Sequence, residues 1–163
     1  MAIELSTTGS QILAPNASII FNVSPVPSSR GLVYSRPNSG LIRLASPSII
    51  GGCGCIDPWT CCGMLMADYE VGFHANLQLP TGGTTGDPIS LAIFVDGEED
   101  PDSLMQVTPA AVEQPFNVGA GIIVPVPWIC RCSTVSVRNV STQNVEVLNP
   151  NLIIEYDGLS RRR

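Results

Sequence analysis

An unbroken alternation of apolar and polar residues constrains this chain more than any other feature. From position 68 it reads DYEVGFHANLQLP, then TGGTTGD, then PISLAIFVDGE. Tyr69, Val71, Phe73, Ala75, Leu77 and Leu79 fall on one face, and Asp68, Glu70, His74, Asn76 and Gln78 on the other. A period of two is that of a strand with one buried side. Ile89, Leu91, Ile93 and Val95 repeat the pattern, and the glycines between the two runs supply a loop. The pair reads as two antiparallel strands, or as neighbours in two packed sheets.

Shorter pieces continue the theme. Strand candidates lie at 11–13, 18–23, 32–35, 41–44, 104–108, 112–124, 134–138 and 145–156, separated by turns rich in Pro, Gly, Asn and Ser. In the last of these, Val145 and Val147 share one parity while Leu152, Ile154 and Tyr156 have the other. A bulge at Pro150 would let both halves face the core. With 15 Gly and 14 Pro and no sustained helical period, the expectation is an all-β protein of about eight to ten strands: a two-sheet antiparallel jelly-roll sandwich. Its core is expected to contain Tyr69, Val71, Phe73, Leu77, Leu91, Ile93, Val118, Ile122, Val135 and Ile154. An immunoglobulin-like sandwich is the structural rival. It needs one Cys on each of two core strands, whereas the cysteines here fall in loops.

The chain divides into residues 1–24, an N-terminal arm or first strand broken by Pro15; residues 25–157, the jelly roll; and residues 158–163, a basic tail ending in three Arg. The 163 residues suit one domain, and 44% hydrophobic against 13% charged content argues for a packed core. Net charge is −6, there is no lysine, and no basic stripe exists, so nucleic acid is not an expected partner. No apolar run approaches a membrane span, and the N-terminus lacks a secretory pattern, so no membrane partner is expected.

Six cysteines occur as Cys53, Cys55, Cys61, Cys62, Cys130 and Cys132, in two loops that jelly-roll alternation brings to one end. Disulfides between the loops, reduced half-buried thiols and a thiolate zinc site are three readings of the cluster. Zinc fits least well, because neither loop has a C-x-x-C spacing. No catalytic constellation appears. His74 is the lone histidine, TGGTTG leads into a strand rather than a helix, and the acidic turn at 96–103 lacks a calcium-loop spacing. The expectation is a non-enzyme without a cofactor.

The strand order, the segments DYEVGFHANLQLP and PISLAIFVDGE, and the closing NLIIEYDG resemble the C1q/TNF-like jelly roll. In that family a Y-x-V-x-F strand is followed by a hairpin partner ending in a DG turn. The segments PTGGTTGDPISLAIFVDGE, VTPAAVEQPFNV and STQNVEVLNPNLIIEY also resemble small virion proteins encoded by phages and prophages of Gram-positive bacteria. The resemblance implies a homotrimer packed about this sheet, with His74, Asn76, Asn117, Gly119 and Gly121 at the interface. It further implies a structural role: a capsid decoration or head-fibre protein on the outer surface of the virion, made in the bacterial cytoplasm. The major capsid protein or another virion protein would be its partner. Ile3, Leu5, Ile12, Leu13, Ile19 and Phe21 would anchor it, since an extended arm can add a strand or fill a groove. The alternative function is a receptor- or glycan-binding fibre head or cell-surface adhesion module.

Overall fold

A computed structural model of the chain describes residues 2–27, 33–35, 40–46, 65–127 and 132–161. In chain order the strands are β1 (Ala2–Ser6), β2 (Ser10–Leu13), β3 (Val23–Val26), β4 (Val33–Ser35), β5 (Ile42–Ala45), β6 (Leu65–Gln78), β7 (Ile89–Val95), β8 (Glu98–Glu99), β9 (Met105–Val107), β10 (Phe116–Pro127), β11 (Cys132–Asn139) and β12 (Val145–Arg161). One 3-10 turn, Pro101–Ser103, is the helical element among the described residues. The strands form two antiparallel sheets. Sheet A runs β10-β6-β12-β1-β3, with β2 also on β12; sheet B runs β4-β5-β11-β7-β8, with β9 also on β7. These twelve strands among the described residues are more than the expected eight to ten; six have five residues or more, and the other six are pieces of two to four.

The alternation in β6 sets the core. Ala67, Tyr69, Val71, Phe73, Ala75 and Leu77 turn inward and are buried, and every residue expected in the core is buried with them. Each large aliphatic or aromatic side chain removed from water contributes about 1.5–3 kcal/mol, so this one strand anchors much of the fold. The two runs around residues 68–96 lie in different sheets: β6 pairs with β10 and β12, and β7 with β11, β8 and β9. The hairpin after PISLAIFV is therefore β7–β8. Val95 pairs with Glu98 across Asp96 (φ 52°) and Gly97 (φ 90°). Two successive left-handed residues make the tight turn whose twist matches paired strands, and Asp-Gly supplies it. Asp96 Oδ1 also accepts the Thr134 N–H at 2.6 Å, which ties the turn to β11.

Three local readings change. β12 does bulge between Leu148 and Asn151, with Asn149 at φ 49°, and Val147 and Leu152 are both buried. It also continues through Arg161, four residues into the expected tail. Val112, at the start of the strand expected over 112–124, is exposed and outside β10, because Glu113 turns the chain at φ 58° and β10 begins only after Pro115. Pro25, expected in a loop, sits in β3. That strand is the edge of sheet A, where a missing N–H breaks no ladder.

Residues 14–22 strap one sheet to the other. The segment leaves β2 in sheet A and crosses to β11 in sheet B. There the Asn16 N–H donates to Asn139 O (2.8 Å), the Asn139 N–H to Ala17 O (3.0 Å) and the Ile19 N–H to Val137 O (2.9 Å). It then returns to sheet A as β3.

Candidate functional site

The outer face of sheet A brings the expected interface residues together. Asn117 pairs with Asn76, Gly119 with His74 and Gly121 with Gly72 across β10 and β6; His74 pairs onward with Asn151 and Gly72 with Ile153 across β12. This register, with residues two apart on a strand sharing a side, places them on one face. The Asn117 amide donates to Asn76 Oδ1 (3.2 Å). His74 is exposed, and its ring leans over Gly119, where a β-carbon would stand 2.9 Å from Cε1.

Gly72 and Gly121 leave a bare strip of backbone in the middle of this face, and no atom lies within 4 Å of where a Gly72 β-carbon would be. Apolar side chains flank the strip. Ile123 is 63% exposed and Ile153 is 42% exposed, although both sit mid-strand. Sequence reading missed these two because their parity marked them as solvent-side. The signal was present in their type, since β-branched apolar residues on the outer face of a sheet point to a covering surface. Asn151 donates to Glu4 Oε1 (2.6 Å), while its own Oδ1 is buried without a partner. Toward the far end the face turns acidic, with Glu70 and Glu155 as register partners.

The N-terminal anchor residues are placed differently from expectation. Ile3, Leu5, Leu13, Ile19 and Phe21 are buried in the domain's own core, and only Ile12 stays on the surface, at 61% exposure. The physical reason is that β12 is long enough to take β1 and β2 as ladder partners, at Ala2↔Glu155 through Ser6↔Asn151 and Val145↔Leu13 through Leu148↔Ser10. These side chains gain more by completing the sandwich than by standing off it. The segment is a structural part of the sheet and not a free arm.

Cys53, Cys55, Cys61, Cys62 and Cys130 lie outside the described residues. Cys132 is half-buried, is a free thiol, and accepts a hydrogen bond from the Arg43 guanidinium at 2.8 Å. It pairs with Ala45, so the two cysteine-bearing stretches start from neighbouring points at one end of the sandwich. Among the described residues no three His, Cys, Asp or Glu side chains are grouped to hold a metal ion. Near this end Tyr69 is fully buried and donates its hydroxyl to Ala45 O (2.6 Å), with the Tyr156 ring 5.5 Å away. Burial, then the neighbouring Tyr156 and Cys132, push the Tyr69 phenol well above its ordinary range; burial and Asp68 raise Tyr156 as well.

No family model matches the sequence, and no curated protein matches it. Solved structures do. The globular domain of the zebrafish complement 1qA protein superposes with a TM-score of 0.59 at 8% identity, covering 99% of this chain and 98% of that one. Murine APRIL at pH 5.0 gives 0.60 at 6% identity, covering 94% and 97%. The fold is a C1q/TNF-like jelly roll. In this jelly roll β6 and β12 lie inside sheet A, whose edges are β10 and β3.

Proposed function

We propose that the protein is a homotrimeric structural protein of a bacteriophage particle, a decoration or head-fibre subunit on the outer capsid surface. The observation that carries the reading is the outer face of sheet A. The backbone strip at Gly72 and Gly121, with Ile123 and Ile153 beside it, is built for close approach of another surface. A C1q/TNF-like jelly roll suits a second and third copy of itself there, with His74 of each chain near the threefold axis. The likeness of the 80–98, 107–118 and 141–156 segments to small phage-encoded proteins supports the particle. The net charge of −6 with no lysine favours its outside over packaged DNA.

Attachment would run through the end of the sandwich that carries Ala2 and the end of β12, where Arg161 pairs with Leu65. Light scattering at micromolar concentration should give three times the 17.3 kDa chain mass. The trimer should co-sediment with purified capsids of a phage encoding it, and replacing Arg161, Arg162 and Arg163 by Ser should weaken that association. A monomer mass sinks the trimer. A trimer that binds host cells but never capsids sinks the decoration role.

A further inference from the structure

A small cavity opens at the other end of the sandwich. β12 starts there, with Glu146 opposite Gln78, and runs 17 residues to Arg161 opposite Leu65. Residues 80–84, which follow β6, and Gln143 and Asn144, which precede β12, line a half-open pocket of about 190 Å³. Its walls are held in advance of any ligand. The Thr84 N–H donates to Gln143 Oε1 (3.0 Å), and Gln143 Nε2 donates back to Thr84 O (3.2 Å). The Gly83 N–H donates to Pro80 O (3.0 Å), and the Thr81 hydroxyl donates to Glu113 Oε1 (2.8 Å). Gly83 has no alternative, because a β-carbon there would stand 2.5 Å from the Leu79 side chain. A site whose groups are already paired and fixed loses little entropy on binding.

The lining chemistry narrows the ligand. It contains threonine hydroxyls, two carboxamides and peptide groups of a glycine pair, with Pro80 as the apolar wall. No Arg lines it, and the Gly83 and Thr84 N–H groups are already engaged within the loops, so it is poorly matched to a phosphate, a sulfate or a carboxylate. It has no aromatic slot for a flat base, and its volume is below the roughly 300 Å³ at which sites for drug-sized ligands begin. Neutral donors and acceptors converging on a space of this size match a polyhydroxylated ring. We propose that this pocket binds one neutral sugar residue, a hexose, deoxyhexose or N-acetylhexosamine, presented at the end of a glycan. The site faces away from the terminus-bearing end through which the particle would hold the protein. It gives the decoration subunit a second activity, adhesion to a glycosylated surface. The chemistry stands on the pocket itself; only the display of three pockets on one head rests on the trimer reading.

The test uses the full-length chain labelled with nitrogen-15. Glucose, galactose, rhamnose, N-acetylglucosamine and N-acetylgalactosamine are titrated separately to about 50 mM, a range that covers the weak affinity of a single small-ligand site. At least one sugar should shift the backbone amides of Gly82, Gly83, Thr84 and Gln143 along a saturating curve. Asn144 is exposed and outside the core, so Asn144→Ala should fold normally. It should weaken binding about fivefold, the equivalent of one lost hydrogen bond. The proposal is overturned if none of the five sugars moves these amides, if saturable shifts map to another face, or if Asn144→Ala binds as the parent does. Light scattering on the same sample keeps the two readings apart. A trimer with silent loop amides removes the sugar site and leaves the trimer, and a monomer with saturable loop shifts does the reverse.

Discussion

The imidazole of His74 lies across Gly119, its register partner on β10, and occupies the space a side chain at 119 would need. Gly119 is not in the left-handed region, so its φ suits alanine, although a β-carbon there would also stand 3.1 Å from Phe73 O. What alanine would do is push the ring off β10 and onto the bare strip beside it.

Gly119→Ala therefore separates folding from assembly. Since His74 is exposed and free to swing, the domain's stability should change by less than about 1 kcal/mol. Dissociation of the proposed trimer, followed by light scattering over a dilution series, should become at least about tenfold easier, because the displaced ring and the new methyl would both stand in the proposed contact surface. Adding His74→Ala should restore much of the association, as the coupling of two touching residues requires. An unchanged dissociation curve for Gly119→Ala would place the interface elsewhere.

Much of this was legible because strands write their faces into the sequence with a period of two. Tyr69, Val71 and Phe73 could be assigned to the core from parity alone, and so could the outward placement of His74 and of Gly119, each on its own strand. The phase change around Pro150 announced a bulge, since no straight strand keeps both Val147 and Leu152 inside. Pairings between distant segments were not legible. Ile3 and Leu5 lie on a five-residue strand whose partner, β12, comes nearly the whole chain later, so nothing local distinguishes a docked strand from a loose arm. The same holds for the pocket, whose clamp joins Gln143 to Thr84. Val112 shows the opposite error, an alternation extended past the point where Glu113 and Pro115 break the strand.

Tyr69 predicts an alkaline limit. Its phenol is raised in the fold by burial, and Tyr156 is raised too, whereas in the unfolded chain both return to about 10. The folded state therefore favours the protonated forms. That contribution is complete below about pH 10 and is lost as pH rises from there toward the folded-state values. Tyr69→Phe keeps the ring but removes the hydroxyl bonded to Ala45 O. At pH 8 it should cost about 1 kcal/mol. Above pH 10 its stability, measured by urea unfolding, should fall less steeply than the parent's, with the remaining slope due to Tyr156. Parallel alkaline limbs for the two proteins would show that Tyr69 does not set the limit.

Asn139 predicts what holds the strap of residues 14–22. It is fully buried at the end of β11 and every polar atom of its side chain is used. Nδ2 donates to Leu13 O (3.0 Å) and to Gln143 O (2.9 Å), while Oδ1 accepts from the Ser141 N–H (2.9 Å) and from the Ser141 hydroxyl. One side chain thus joins the end of β2, the end of β11 and the turn that carries the pocket residue Gln143. Asn139→Asp preserves shape and removes both donors. The new carboxylate would be buried against two carbonyl oxygens, a loss of about 3 kcal/mol or more at pH 7. Burial and those carbonyls would raise the folded-state carboxyl above its unfolded value of about 3.9. The deficit relative to the parent is then smallest near that unfolded value, where the acid is protonated and can still donate once. It grows as pH rises through the folded-state value. Melting temperatures of the two proteins should accordingly converge on going from pH 7 to pH 5. A constant gap would mean that the cost of the substitution is not the buried charge, and an absent gap would mean that the strap is held without Asn139.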